Sequence, residues 1–192
     1  MKVSLLALGI TLIQFTFSPC YASKTVVPAP YEDTTYTRVI TERAGKIVST
    51  LGLPDSAAFL RVRTIVADQY RALNAVYTDR DGKKIVQQEV DAKIAKLHTD
   101  YLAKLATELN PQQIDKVKDG MTYGVVQVTY RAYNQQLPDL NDDQKAYILA
   151  SLIEAREHAM DAESSEKKHA WFGKYKGRIN NYLSSQGISM KK

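Results

Sequence analysis

From Thr35 to Leu109 the apolar residues return every third or fourth position, and this period constrains the fold more than any other feature of the chain. Val39, Ile40, Ala44, Ile47, Val48 and Leu51 form a first stripe, with Gly52 as a C-terminal stop before Pro54. A second stripe runs through Phe59, Val62, Val66, Tyr70, Leu73 and Tyr77 and breaks at Asp81-Gly82. A third follows at near-heptad spacing through Ile85, Val90, Ile94, Leu97, Tyr101, Leu105 and Leu109. Two long stripes separated by a short turn predict an antiparallel helical hairpin packed along its length.

Leu109-Asn110-Pro111-Gln112-Gln113 and Leu140-Asn141-Asp142-Asp143-Gln144 each place Asn three residues before Gln, which is the pattern of a capping box. Pro111 suits the first helical position, where an amide hydrogen is not needed. Between them, Gly120 to Tyr133 contains two glycines and a β-branched run, so strand and helix compete. A helix is expected, because Tyr123, Val126, Tyr130 and Tyr133 would then share one face. Two more helices are expected, from Asp142 to about Ala162 and from Ser165 to about Ser185. The fold class is therefore all-α: a single-domain bundle of about five or six helices spanning 34–188.

The first 22 residues read as a secretory signal peptide. Met1-Lys2 is basic, Val3 to Phe17 is largely apolar and uncharged, and Ser18 to Ala22 ends in small residues suited to cleavage. The apolar run is too short and too interrupted for a membrane span, so no stable membrane insertion is expected after cleavage. Phe17-Ser18-Pro19-Cys20 departs from a lipidation signal. Residues 23–33 read as a flexible leader, and the destination is periplasmic or extracellular. Removing 1–22 removes the only cysteine, Cys20, so no disulfide, thiol nucleophile or thiolate metal site is available.

The paired Leu-Asn-x-x-Gln segments resemble the LTxxQ motif of the Spy/CpxP periplasmic chaperones, with Asn in place of Thr in both copies. A wider resemblance rests on Thr41-Glu42-Arg43-Ala44, Asp68-Gln69-Tyr70-Arg71-Ala72-Leu73-Asn74, Val117-Lys118-Asp119-Gly120-Met121-Thr122-Tyr123-Gly124, Glu154-Ala155-Arg156-Glu157-His158-Ala159-Met160-Asp161-Ala162 and His169-Ala170-Trp171-Phe172-Gly173-Lys174-Tyr175-Lys176-Gly177-Arg178. These resemble a family of secreted bacterial proteins of unknown function, numbered 3826, over most of the chain after the signal. That resemblance implies a secreted helical protein in bacteria that digest polysaccharides, and it brings no catalytic residues.

Charge is localised. Ser164 to Lys192 holds seven Lys or Arg against one acid, whereas Ser23 to Glu163 holds 18 bases against 20 acids. Asymmetry of this kind concerns partners rather than fold. Within the last helix Phe172, Tyr175, Ile179 and Leu183 fall on a core-facing stripe. Trp171, Lys174 and Arg178 fall on a neighbouring face, where an aromatic plane beside a guanidinium fork would suit a carboxylate or sugar hydroxyls; the alternative is a half-buried Trp covered by basic stems. Gly173 and Gly177 require a reason, such as close helix packing, a ligand or a break.

His158 lies one turn from Glu154 and Asp161, a spacing that serves proton transfer or simple surface pairing. Arg71, Tyr123, Tyr130 and Tyr133 would line a cleft or fill an interhelical core. Three scattered histidines match no metal motif, and neither a phosphate loop nor a GxSxG elbow occurs, so no metal or cofactor is expected. Four classes compete: a module binding glycan or acidic oligosaccharide, an enzyme acting on polysaccharide fragments, a chaperone, and a nucleic-acid or membrane binder. Export weighs against nucleic acid, and the lack of a strongly apolar helix face weighs against membranes. The oligomeric state is left open by the sequence.

Overall fold

A computed structural model of the chain describes residues 35–188; the expected signal peptide, the leader and Cys20 lie outside the described residues. Seven helices and no strand occur there: α1 (Thr35–Val48), α2 (Ser56–Asp81), α3 (Gln87–Ala106), α4 (Pro111–Met121), α5 (Val125–Gln136), α6 (Asp142–Met160) and α7 (Ser165–Ser185). The architecture is an all-α domain, with the α2–α3 hairpin in place.

Local chemistry sets most of the boundaries. Both capping boxes form in full: Asn110 Oδ1 accepts from Gln113 N at 2.9 Å and Asn141 Oδ1 from Gln144 N at 2.9 Å, while each Gln side chain accepts from its Asn amide. Asp55 caps α2 by accepting from Ala58 N, and Ser164 caps α7 by accepting from Lys167 N. Gly52 has φ +64°, the left-handed conformation that ends a helix without a side-chain penalty.

One boundary departs from expectation. The segment 111–136 breaks into α4 and α5 at Thr122-Tyr123-Gly124, which gives seven helices instead of five or six. Tyr123 (φ +61°) and Gly124 (φ +66°) both turn left-handed, and Gly124 N donates to Asp119 O at 2.8 Å. Tyr123 therefore does not share a helical face with Val126, Tyr130 and Tyr133. The β-branched run that follows is helical, not extended. Close packing accounts for Gly120: a Cβ there would stand 2.9 Å from Ile47 of α1.

Two apolar clusters hold the fold. The first joins α1, α2, the end of α3 and α4 through Ile40, Val62, Val66, Leu105, Val117 and Met121. The second joins α5, α6 and α7 through Val126, Ile148, Leu152, Phe172, Ile179 and Leu183. Burying each such side chain stabilises the fold by roughly 1.5–3 kcal/mol before entropy is charged. The expected stripe of α7 is fully buried.

Where α6 meets the first cluster the contacts turn polar. Arg156, 5% exposed, donates to Asp119 Oδ1 at 2.8 Å and Asp115 Oδ1 at 2.6 Å, and so ties α6 to α4. Directional bonds of this kind set a register that apolar contact alone would leave loose.

Candidate functional site

The C-terminus of α6 is the organising point. Asp161, its C-cap residue, is 5% exposed, and three side chains from the α2–α3 hairpin converge on it. Gln69 Nε2 donates to Oδ1 at 3.2 Å, Tyr77 Oη donates to the backbone carbonyl at 2.8 Å, and His98 Nδ1 lies 2.6 Å from Oδ2. A carboxylate accepts only, so Nδ1 carries the hydrogen and a neutral His98 presents Nε2 as its acceptor. Nε2 stands 3.7 Å from Glu157 Oε2, which itself accepts from Lys118 Nζ at 2.7 Å. The hydrogen bond to Asp161 raises the His98 pKa above the ordinary imidazole value, against the opposing effect of burial.

This pair forms part of the wall of an open groove of about 690 Å³ between the α2–α3 hairpin and the α6–α7 turn. Tyr77 and Arg80 line it from α2, Asp91, Ile94 and His98 from α3, Glu157 and His158 from α6, and Lys167 and Trp171 from α7. Among the described residues acids outnumber Lys and Arg on this lining: Asp91, Glu157, Asp161 and Glu163 stand against Arg80 and Lys167. Arg80 is itself paired with Asp81 and Glu163.

His158 does not pair with the carboxylates one turn away. Its ring stacks on Trp171, with centroids 4.5 Å apart and planes 17° apart, and Lys174 Nζ lies 4.9 Å from the indole centroid. Trp171 is half-buried and lines the groove. Arg178 is directed elsewhere: it donates to Glu154 Oε2 at 2.8 Å, and its guanidinium lies 4.3 Å from the Tyr175 ring centre. Tyr175 donates to the other Glu154 oxygen at 2.6 Å, and this bond, with Arg178 beside it, holds the Glu154 carboxyl below its usual range. The face of Trp171, Lys174 and Arg178 is thus a ladder of stacked and ion-paired groups in which the guanidinium fork is already engaged.

The tyrosines do not meet in one cleft. Tyr133 is buried and donates to Asn180 Oδ1 at 2.7 Å; Tyr130 packs half-buried against the second cluster. Tyr123, 48% exposed, stacks on His169 at 5.7 Å and borders a smaller chamber with Tyr36 and Tyr70. Arg71 is half-buried and paired with Asp68 on its own helix. Gly173 and Gly177 have open space where a Cβ would sit, on an unbroken helix, so neither close packing nor a break accounts for them.

Sequence reasoning missed the His98–Asp161 pair because 63 residues separate its members. The one local signal was a histidine beside an apolar seam. Among the described residues no group of three or more His, Cys, Asp or Glu is arranged to hold a metal ion, and no helix is long and apolar enough to cross a membrane.

A family model described as "Protein of unknown function (DUF3826)" matches residues 37–89 and 83–192, and the chain belongs to that family. No curated protein matches the chain.

Proposed function

We propose that this family member acts outside the cytoplasm and binds a glycan segment in the groove between the α2–α3 hairpin and the α6–α7 turn. The observation that carries this reading is Trp171 on the wall of a groove of about 690 Å³ that also presents Tyr77, charged donors and carboxylate acceptors. Sugar rings offer apolar C–H faces and a rim of hydroxyls, so they suit aromatic edges beside paired polar groups. The excess of acids on the lining, and the engagement of Arg178 by Glu154, favour a neutral glycan over an acidic one. A glycan array probed with the wild-type chain and with Trp171→Ala tests the reading. The expected result is retention of neutral oligosaccharides that falls at least about tenfold in the variant, equivalent to about 1.4 kcal/mol. Absence of glycan binding by the wild type, or binding unchanged by Trp171→Ala, overturns it.

A second reading, an enzyme acting on the bound glycan, is favoured by the His98–Asp161 pair. A buried carboxylate on Nδ1 fixes the tautomer and leaves Nε2 to take a proton at the groove wall. Release of soluble sugar from polysaccharide, lost in His98→Ala while binding persists, is the expected signature. The chaperone reading gains no support from Asn110 and Asn141, which are accounted for as helix caps.

A further inference from the structure

Beside the groove lies a second, smaller chamber of about 130 Å³, where a lysine is buried without a counter-ion. Lys168, in the first turn of α7, is 4% exposed. Its Nζ donates to the carbonyl of Met160 at 2.8 Å and stands 6.0 Å from the centre of the Tyr70 ring. No carboxylate is ion-paired with it among the described residues; Asp161 acts on it only from a longer range. A carbonyl at the end of α6 needs no ammonium to satisfy it, since backbone N–H groups serve the C-terminal carbonyls of α2, α3, α4, α5 and α7. A lysine in such a place costs folding energy that a methionine would not.

The surroundings explain how the amine is kept reactive. Burial first, and the positive charge of Arg43 second, lower the Lys168 pKa to about 8, with Asp161 opposing them. At pH 7 the free-base fraction is then about 10%, against roughly 0.04% for an ordinary lysine. Tyr36 and Arg43 of α1 and Tyr70 of α2 line the same chamber, and Tyr123 and Glu163 border it from the two turns. Burial holds the Tyr70 phenol protonated, with its pKa raised to about 12, so it remains a hydrogen-bond donor at neutral pH. The Arg43 guanidinium lies 5.5 Å from the Tyr70 ring centre and supplies a permanent cation to the lining. At about 130 Å³ the chamber is much smaller than the groove of about 690 Å³, and it admits a compact acid.

We propose that Lys168 is an amine nucleophile that forms a reversible imine with a small carbonyl acid, of the glyoxylate or pyruvate class, held in this chamber by Arg43. The nitrogen lone pair attacks the carbonyl carbon, the C=O π pair moves to oxygen, and a proton passes from nitrogen to that oxygen to give a carbinolamine. The hydroxyl then gains a proton and departs as water while the nitrogen lone pair closes C=N, and the iminium so formed releases its remaining N–H proton, which replaces the one taken up. Amine and carbonyl thus give imine and water, with no net oxidation. A carboxylate on the ligand meets Arg43, as an exposed lysine could not arrange.

The experiment is reductive trapping on the full chain with glyoxylate and cyanoborohydride, read by peptide mass spectrometry across pH 6 to 10. Lys168 is expected to become carboxymethylated at least about tenfold faster than exposed lysines at pH 7, with a rate that levels off above pH 8 while theirs keeps rising. Arg43→Gln is expected to slow labelling by glyoxylate more than labelling by the uncharged aldehyde propanal, which loses only the lowering of the amine pKa by Arg43. Labelling of Lys168 no faster than that of the exposed Lys174 or Lys176 overturns the proposal and leaves the lysine as a helix cap only. An equal effect of Arg43→Gln on both reagents overturns the carboxylate role. Because the reaction is read on the unsubstituted chain, the test does not depend on any Lys168 variant folding, and it is independent of glycan binding in the groove.

Discussion

The groove and the chamber share the α6–α7 turn, yet they treat charge in opposite ways. In the groove every charged group of the central constellation has a partner: His98 rests on Asp161, Glu157 on Lys118, and Arg80 on Glu163. In the chamber Lys168 has a carbonyl and aromatic neighbours, and Glu163 on its border is paired with Arg80 rather than with the lysine. A paired charge in an open groove is cheap to keep and serves recognition. An unpaired one in a closed space is costly, and the cost appears as an amine that readily gives up its proton.

The largest effect that would break this contrast is expected for Asp161→Ala. It strips His98 and Gln69 of their shared acceptor at a buried position, and chemical denaturation should show a loss of about 3 kcal/mol. A loss near zero would mean that the pairing does not organise the turn. Lys168→Met should act in the other direction and gain about 2 kcal/mol at pH 7. The sign follows from the lowered pKa: between pH 8 and the ordinary lysine value the unfolded chain binds the extra proton, so wild-type stability rises across that window. The advantage of Lys168→Met should therefore be full below pH 8 and fade above pH 10, as thermal melts at several pH values would show.

Gly173→Ala and Gly177→Ala probe the exposed face of α7, away from either cavity. Each should add up to about 1 kcal/mol of stability while leaving glycan binding and Lys168 labelling unchanged. A loss of either function would show that this face takes part. The smallest effect concerns His98. Its raised pKa means that protonation of the pair stabilises the fold fully below the ordinary imidazole value, and that this contribution, less than about 1 kcal/mol, is lost as pH rises through the folded value. Titration of the imidazole by NMR should give a value that falls in Asp161→Asn.

Much of the fold was legible because its signals are local. The stripes of α1, α2 and α7 needed only the helical period, and the Asn-x-x-Gln caps needed only three residues of reach. The break at Tyr123-Gly124 was less legible, since a tyrosine with positive φ is uncommon and nothing in the residue itself announces it. The candidate site divided along the same line. Trp171 and His158 were marked by type and position and do line the groove, and Trp171 is half-buried beneath the basic stem of Lys174, one of the two readings the sequence allowed. His158 was matched with the carboxylates one turn away and instead stacks on Trp171, while Asp161 was claimed by a histidine from a distant helix.

By itself the sequence determined an all-α chain, its caps and the stripes that pack it, because periodicity and capping act within a few residues. Only the tertiary structure decided that Asp161 would meet His98 and that Lys168 would be buried without a counter-ion. Both depend on how the α6–α7 turn seats against the α2–α3 hairpin and α1, and a pairing across 63 residues leaves no trace in local spacing. The charge that makes Lys168 unusual is likewise set by what surrounds it rather than by its neighbours in the chain.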